Sequence, residues 1–399
     1  MAQNKRFEAD PVENTSLQQG SVRQHPISKN SQAHAGVSPL HAVTHRNTSF
    51  QPLPRPLGLP PYHYSLANNF PSILANIKSA KSMVFHLIGD TGGIKDAEFQ
   101  DNVATQLIKQ LGSAGASDPQ FCYHVGDVVY FNGDIDKYYG QFYEPYNHYK
   151  APIFSIPGNH DGEVDVASDD KTSLDGWVGY FMQATPDVDP ISNDAPRVGL
   201  SLPNPYWTFV TPYATIVGLY TNVPEGGSID SVQQQWLTNE FATAPTDRAL
   251  ILALHHPIYS FDTFHSGSSR MSDALENAIR DTGRVPNLVL SGHVHNYQRI
   301  EKEISPDGPT PFIVTGNGGY HNLHEIHSNP GDVAPDSKAV LKYGVDDAWG
   351  FATLTIDEDT INGTTIEIDR SGNVRSTGDT FSYSAKPIML ANSRNVPSL

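Results

Sequence analysis

The chain has 399 residues, 38% hydrophobic and 17% charged, with a formal net charge of −17 and a single cysteine. That length supports a substantial core in one large domain or two smaller ones, and the acidic balance, with no Lys/Arg-rich stretch, disfavours a protein that holds nucleic acid by counterion release. Cys122 alone cannot build an intrachain disulfide framework, and no run of about 18 apolar residues is present to cross a membrane.

Residues 1–60 are rich in Gln, Asn, Ser, His and Pro without sustained periodicity, which predicts a disordered or loosely packed arm; the stretch Pro52-Leu53-Pro54-Arg55-Pro56 favours extended backbone. Its histidines, His25, His34, His41 and His45, lack regular ligand spacing and read as solvated. The first residues, Met1 to Arg6, lack the apolar core of a secretory signal, so a cytoplasmic location is expected, with export left open. Residues 61–399 are expected to form one catalytic domain, its motifs within 82–320 and its last strands reaching about residue 385.

From Ser82 the pattern alternates between strands and amphipathic segments. Met83 to Ile88 reads as a strand ending on Gly89-Asp90, and Phe99, Val103, Leu107 and Leu111 place one apolar stripe along a helix. Phe121 to Val125 predicts a second strand, with Cys122 as a buried thiol. The Tyr-rich segment Asp136 to Tyr149 reads as helical, and Pro152 to Ile156 as a third strand. Residues 162–205 form a polar insertion longer than ordinary connections, a candidate lid or substrate loop. Tyr206 to Val210 and Tyr213 to Tyr220 read as a hairpin, followed by a helix at Val232 to Phe241 with Gln235-Trp236-Leu237 as core. Then come a strand from Ala249 to Leu254, a helix from Met271 to Arg280 and a strand from Asn287 to Leu290. Late strands are expected at Phe312 to Thr315, Phe351 to Ile356 and Thr364 to Ile368. A βαβαβ start with antiparallel strands after it predicts an α/β sandwich.

Five polar clusters each follow an apolar run: Gly89-Asp90-Thr91-Gly92, Gly126-Asp127-Val128-Val129-Tyr130, Gly158-Asn159-His160-Asp161, His255-His256-Pro257 and Gly292-His293-Val294-His295. Open sheets bind ligands at the carboxyl ends of their strands, so these donors can converge despite their separation. Carboxylate, amide oxygen and imidazole suit hard or borderline metals, and one carboxylate can bridge two ions held about 3.5 to 4 Å apart. In so acidic a chain, phosphate would have to be drawn in by such cations. Asp90 and Asp127 could instead be turn formers satisfied by backbone amides, His256 is the alternative ligand beside His255, and Tyr130 could simply pack. His86 and His124, inside apolar runs, read as hydrogen-bonded core histidines. Val314 to Gly319 reads as a structural strand-to-loop turn near the metal face; without a following Lys-Ser/Thr it is no phosphate loop. Tyr297 and Arg299, following His295, are candidates to line the pocket, where Arg299 would steer an anion; the alternative for Arg299 is a structural ion pair.

In order, GDTG, GDVVY, GNHD, HHP and GHVH resemble the motifs of the calcineurin-like metallophosphoesterase superfamily, and most closely those of its purple acid phosphatases. The resemblance implies a four-layer sandwich of two mixed β-sheets flanked by helices, with a dinuclear metal site at the strand ends. Asp90, Tyr130 and His295 would hold one metal, Asn159, His255 and His293 the other, and Asp127 would bridge them. A tyrosinate at Tyr130 implies iron, with zinc, manganese or a second iron as the divalent partner. His160 would contact the phosphate and either stabilise charge or protonate the leaving alkoxide, with Asp161 fixing its tautomer, and His265 would face the leaving group; the family often has two adjacent histidines there, where this chain has Phe264 and His265, so the general acid is open between His160 and His265. The implied activity is hydrolysis of small phosphate monoesters by a metal-bound hydroxide. The alternatives are a phosphodiesterase or nucleotide pyrophosphatase on the same site, or a non-catalytic binding module. No nucleic-acid or membrane partner is expected, and the oligomeric state is left open.

Overall fold

The computed structural model describes residues 52–112, 118–163, 173–222, 226–375, 378–391 and 399. Most of the expected N-terminal arm, with its four histidines, lies outside the described residues. Of the part that is described, Leu57 and Gly58 donate their amides to the Pro203 carbonyl (2.9 and 3.1 Å), and Leu59 is exposed. Among the described residues no helix is long and apolar enough to cross a membrane.

In chain order the strands are β1 (His63–Ser65), β2 (Met83–Ile88), β3 (Phe121–His124), β4 (Ile153–Ser155), β5 (Trp207–Val210), β6 (Ala214–Gly218), β7 (Ala249–Ala253) and β8 (Arg284–Val285). They continue as β9 (Leu288–Ser291), β10 (Tyr297–Ser305), β11 (Gly308–Thr315), β12 (Val340–Val345), β13 (Trp349–Ile356), β14 (Thr360–Ile368), β15 (Thr380–Ser384) and β16 (Ile388–Met389). One sheet runs β1-β5-β6-β7-β9-β11-β10-β12, the other β15-β14-β13-β2-β3-β4, and β16 pairs with β8 in a short ribbon. Both main sheets are mixed: β2, β3 and β4 are parallel, as are β6, β7, β9 and β11, while β13 to β15 and β10 to β12 pair antiparallel. Strands β2, β3, β7 and β9 are buried along their whole length, which is why they read as apolar runs.

The two sheets face each other through an aromatic core. Phe154 packs on Phe209 with ring centroids 4.5 Å apart, Phe121 on Phe209 at 5.3 Å and Tyr123 on Trp207 at 6.0 Å. Helices cover the outer faces, giving the expected sandwich. Glu98–Gln110 has acids in its first turn and Lys109 in its last, matching the helix dipole, and buries Phe99, Val103 and Leu107; Phe99 stacks on Trp349 of β13 at 3.7 Å. Burying rings of this size contributes about 2–3 kcal/mol each. On the other sheet, Ser231–Thr243 is capped by Asp230 and Ser269–Thr282 by Ser268, the latter stopping at Gly283 in the left-handed conformation. Glu240 joins the first of these to the sheet by accepting from Thr208 Oγ1 and pairing with His63, and Trp236 is core as expected.

Two expectations need correction. The Tyr-rich segment is not one helix: Ile135–Lys137 is a 3-10 turn and Tyr139–Tyr143 a π turn. The described part of the polar insertion is not a free lid, because its aromatic residues anchor it. Helix Asp175–Phe181 buries Trp177, Tyr180 and Phe181, Tyr180 packs on Phe142 at 4.7 Å, and Arg197 donates to the carbonyls of Ala151, Tyr146 and Tyr149. Residues 164–172 of that insertion lie outside the described residues.

Candidate metal centre

Five of the parallel strands run into a donor. β2 runs into Asp90, β3 into Asp127, β4 into Asn159, β7 into His255, and β9 into His293 and His295. Asp90, Asp127 and His293 sit at positive φ (57°, 54° and 66°), a conformation that non-glycine residues reach at a cost of order 1–3 kcal/mol each and that clusters at functional sites. The turns are pinned by Asp90 N donating to Gly126 O (3.0 Å) and Thr91 N to Asp127 O (3.1 Å). Close approach fixes two glycines: a Cβ on Gly158 would overlap Asp127 Oδ1, and one on Gly292 would overlap Asp90 Oδ2.

The donors meet across the seam between the sheets. Asp127 Oδ2 lies 3.2 Å from His255 Nε2, and Asn159 Oδ1 lies 3.1 Å from His255 Nε2 and 3.0 Å from His293 Nδ1. On the other side, Tyr130 Oη is 3.1 Å from Asp90 Oδ1 and 3.2 Å from His295 Nε2. His255, Asp127 and His293 present ligand atoms all within 4.8 Å of one another. Every one of these residues is at most 5% exposed. The structure thus brings all seven sequence-predicted metal-site residues together.

The chemistry of this donor set fits metal ions. His255 Nδ1 donates to the Val125 carbonyl (2.8 Å) and His295 Nδ1 to the Asn322 carbonyl (3.1 Å), so in both rings the Nε2 lone pair faces the pocket, the usual outer support of a ligating imidazole. The electrostatic neighbours of Asp90 and Asp127 are histidines, Tyr130 and each other. Burial, together with the Asp127 charge, pushes the Asp90 carboxyl well up. Burial also works against ionised Asp127, but the His255 imidazole beside it holds that carboxyl below the usual carboxylate range. His255 in turn, though burial opposes it, is drawn up to about 10 by Asp127. Burial and the two carboxylates push the Tyr130 phenol well up, so its ionisation calls for a cation of high charge.

Around this centre stand the expected phosphate-side groups. His160 lies beside Tyr130 at 4.5 Å between ring centroids, and its amide donates to Asp127 Oδ1 (2.9 Å). The expected pairing of Asp161 with the His160 ring does not form. Asp161 occupies the third position of a single helical turn and reaches back to the Gly158 amide (2.8 Å), also accepting from Val128 and Val129. The His160 tautomer is set instead by Nδ1 donating to the Phe131 carbonyl (2.8 Å). Asp161, pushed up to about 7 by burial and Asp127, shapes the turn that carries Asn159. His265 does reach the site, 4.6 Å from His293.

The adjacent histidines divide as the strand geometry requires: His255 faces Asp127 and Asn159, whereas His256 turns to Thr221 Oγ1 (2.6 Å). His86 bonds Tyr149 and Gln110, and His124 bonds Thr91, as core histidines do. Arg299 grips Asp379 through Nε (2.7 Å) and Nη2 (2.9 Å), and Tyr297 donates to the same carboxylate (2.9 Å). Both therefore serve the structure and do not line the pocket. The Gly-rich turn after β11 does lie at the metal face, with Gly318 N donating to Gly89 O and Tyr320 N to Asp90 O (both 3.1 Å). Beyond it the sequence reading missed Tyr320 and His324, whose rings lie 4.4 and 4.5 Å from His295; neither belongs to a strand-ending cluster, so nothing local marked them.

A family model described as calcineurin-like phosphoesterase matches residues 83–297. The chain is similar to Purple acid phosphatase 22 of Arabidopsis thaliana, 25% identical over 270 residues that cover 65% of this chain and 55% of that protein. It is also similar to a cAMP/cGMP dual specificity phosphodiesterase of Mycobacterium tuberculosis, 26% identical over 223 residues (53% and 59%), and to Purple acid phosphatase 1 of Ipomoea batatas, 24% identical over 263 residues (59% and 50%). The chain spans about half the length of these curated relatives. Among solved structures, a purple acid phosphatase from yellow lupin seeds shares the fold at TM-score 0.52 and 17% identity, covering 76% of this chain and 54% of that one. GAP50, the anchor in the inner membrane complex of Plasmodium, does so at the same TM-score and identity, covering 76% and 89%.

Proposed function

The chain belongs to the calcineurin-like phosphoesterases, and from that premise we propose that it hydrolyses phosphate monoesters at a two-metal centre. Asp90, Tyr130 and His295 would hold one ion, Asn159, His255 and His293 the other, and Asp127 would serve both. The observation that carries this reading is the meeting, at 3.0–3.2 Å, of Asn159, His255, His293 and Asp127 in one group and of Tyr130, Asp90 and His295 in the other. Bound ions would supply Lewis acidity toward the phosphoryl oxygens and an acidified water. The rest falls to side chains. His160, its Nδ1 held by Phe131, presents the other ring nitrogen to a phosphoryl oxygen and stabilises charge that develops there. His265 faces the leaving group and protonates the departing alkoxide.

The phenol of Tyr130, a hard donor once ionised, supports iron as one ion, with zinc, manganese or iron as the other. Tyr130 and the similarity to two plant purple acid phosphatases support monoesters. A phosphodiesterase on the same site is the second reading, because similarity to the mycobacterial phosphodiesterase favours it. Metal analysis, visible absorption and kinetics with mono- and bis-substituted aryl phosphates test both. Two ions per chain and faster monoester turnover are expected. Faster turnover of the diester would transfer the assignment to the second reading, and a metal-free, colourless, inactive protein would leave a binding module.

A further inference from the structure

His324 is 1% exposed, and it is not among the strand-ending donors. Its ring stacks on that of His265 at 5.0 Å with planes 28° apart, and lies 4.5 Å from the ring of His295 and 5.0 Å from that of Phe264. Its amide donates to the His295 carbonyl (2.9 Å). Its Nδ1 is buried without a hydrogen bond but approaches Asp262 Oδ2 to 3.5 Å. That same Asp262 carboxylate accepts from the amides of Phe264 (2.8 Å) and His265 (2.7 Å) and from Asn296 Nδ2 (2.9 Å), and Asn296 Nδ2 also donates to the His324 carbonyl (3.1 Å). A buried imidazole nitrogen left beside a carboxylate costs stability unless the site uses it, and catalytic hydrogen bonds commonly run long until substrate tightens them.

We propose that His324, set by Asp262, is a positioning residue for His265: it supplies by a separate loop the second imidazole that Phe264 does not provide, and by stacking holds the His265 ring toward the leaving group. One carboxylate then fixes both the backbone of the His265 turn and the ring that backs it. Deleting His324 frees the His265 ring to rotate away from the departing oxygen without removing any proposed metal donor. The loss should therefore grow as the leaving group becomes worse, since a good leaving group needs no proton. This inference rests on phosphoester hydrolysis with His265 on the leaving-group side.

The test measures kcat and KM of the metal-loaded protein with 2,4-dinitrophenyl, 4-nitrophenyl and phenyl phosphate for wild type, His265→Ala, His324→Ala, His324→Phe and the double alanine variant. His324→Ala should lower kcat about tenfold on phenyl phosphate and less than about threefold on the dinitrophenyl ester, a fraction of the 10²–10⁴ that general acid catalysis supplies. KM and metal content should stay at wild-type values. His324→Phe, which keeps a stacking ring, should recover most of the loss and controls for folding, and the double variant should be no worse than His265→Ala. Hydrolysis by wild type with a loss in His324→Ala that is equal for all three esters, or accompanied by metal loss, overturns the proposal while leaving the function standing. So does a His265→Ala variant without leaving-group dependence. A wild type inactive on all three esters defeats the functional reading itself.

Discussion

His86 offers a quantitative check on the burial argument. It stands in the middle of β2, wholly buried, with Nδ1 2.9 Å from Tyr149 Oη and Nε2 2.9 Å from Gln110 Oε1. Burial pushes its pKa down to about 4, the hydrogen bond that its ring donates to Gln110 Oε1 opposing only in part, whereas in the unfolded chain it would titrate near 6.5. The unfolded state therefore takes up the proton first as the medium acidifies. The contribution of His86 is complete above pH 6.5 and is lost as pH falls from 6.5 toward 4. The full gap of about 2.5 units corresponds to about 3.4 kcal/mol, of which about 2 kcal/mol is already lost at pH 5. Replacing His86 by Gln removes the titration while leaving amide groups for Tyr149 and Gln110. Urea unfolding at pH 8, 6.5 and 5 should show His86→Gln less stable than wild type at pH 8, with the gap narrowing by about 2 kcal/mol by pH 5. Titrations common to both proteins cancel in this difference. Stability curves that run parallel over that range would refute the claim that the folded state excludes the proton from His86.

Asp127→Ala should lose both ions and turnover, with metal affinity falling by more than the 10- to 100-fold typical of outer-shell changes; metal analysis after dialysis, showing full occupancy, would defeat the bridging role. Tyr130→Phe should bleach visible absorption with a near-native melting midpoint, because the Tyr130 backbone stays bonded to Gln141 on both sides (2.9 and 2.7 Å); unchanged absorption would remove the argument for an iron phenolate. Arg299→Ala should leave KM for aryl phosphates unchanged while lowering stability by about 3 kcal/mol, the usual result of stranding a buried carboxylate such as Asp379. A rise in KM at unchanged stability would instead make Arg299 an anion-steering group.

What the sequence disclosed was tied to burial on both faces. β2, β3, β7 and β9 are continuous apolar runs because both of their faces are covered, and each run ends on its donor, so strand and ligand were legible together. β10 was not, because Arg299, Glu301, Lys302 and Glu303 interrupt its pattern. Arg299, Glu301 and Lys302 are satisfied in the folded chain by Asp379, by Tyr383 and Lys342, and by the Ser337 carbonyl, partners distant in sequence that no local window contains, while Glu303 is exposed. Strand β15 alternates exposed and half-buried residues at the sheet edge and carries little apolar signal. The polar insertion misled for the opposite reason: its Asp, Pro and Gly content concealed Tyr180 and Phe181, which pack on Phe142, and Trp177, which stacks on Phe181.

The site divides along the same line. Donors that close a strand inherit their direction from the sheet, so Asp90, Asp127, Asn159, His255, His293 and His295 could be gathered from motif order alone. The groups that orient them come through backbone atoms, which no motif encodes: the Val125 carbonyl for His255, the Asn322 carbonyl for His295, the Phe131 carbonyl for His160. A carboxylate adjacent to an imidazole in sequence is for that reason a poor guide to which group sets its tautomer. Asp161 sits next to His160 yet is drawn by the geometry of a helical turn to the amides of Gly158 and Val128, while Asp262, remote from His324 in sequence, ends beside it because both loops close over the same end of the sheet.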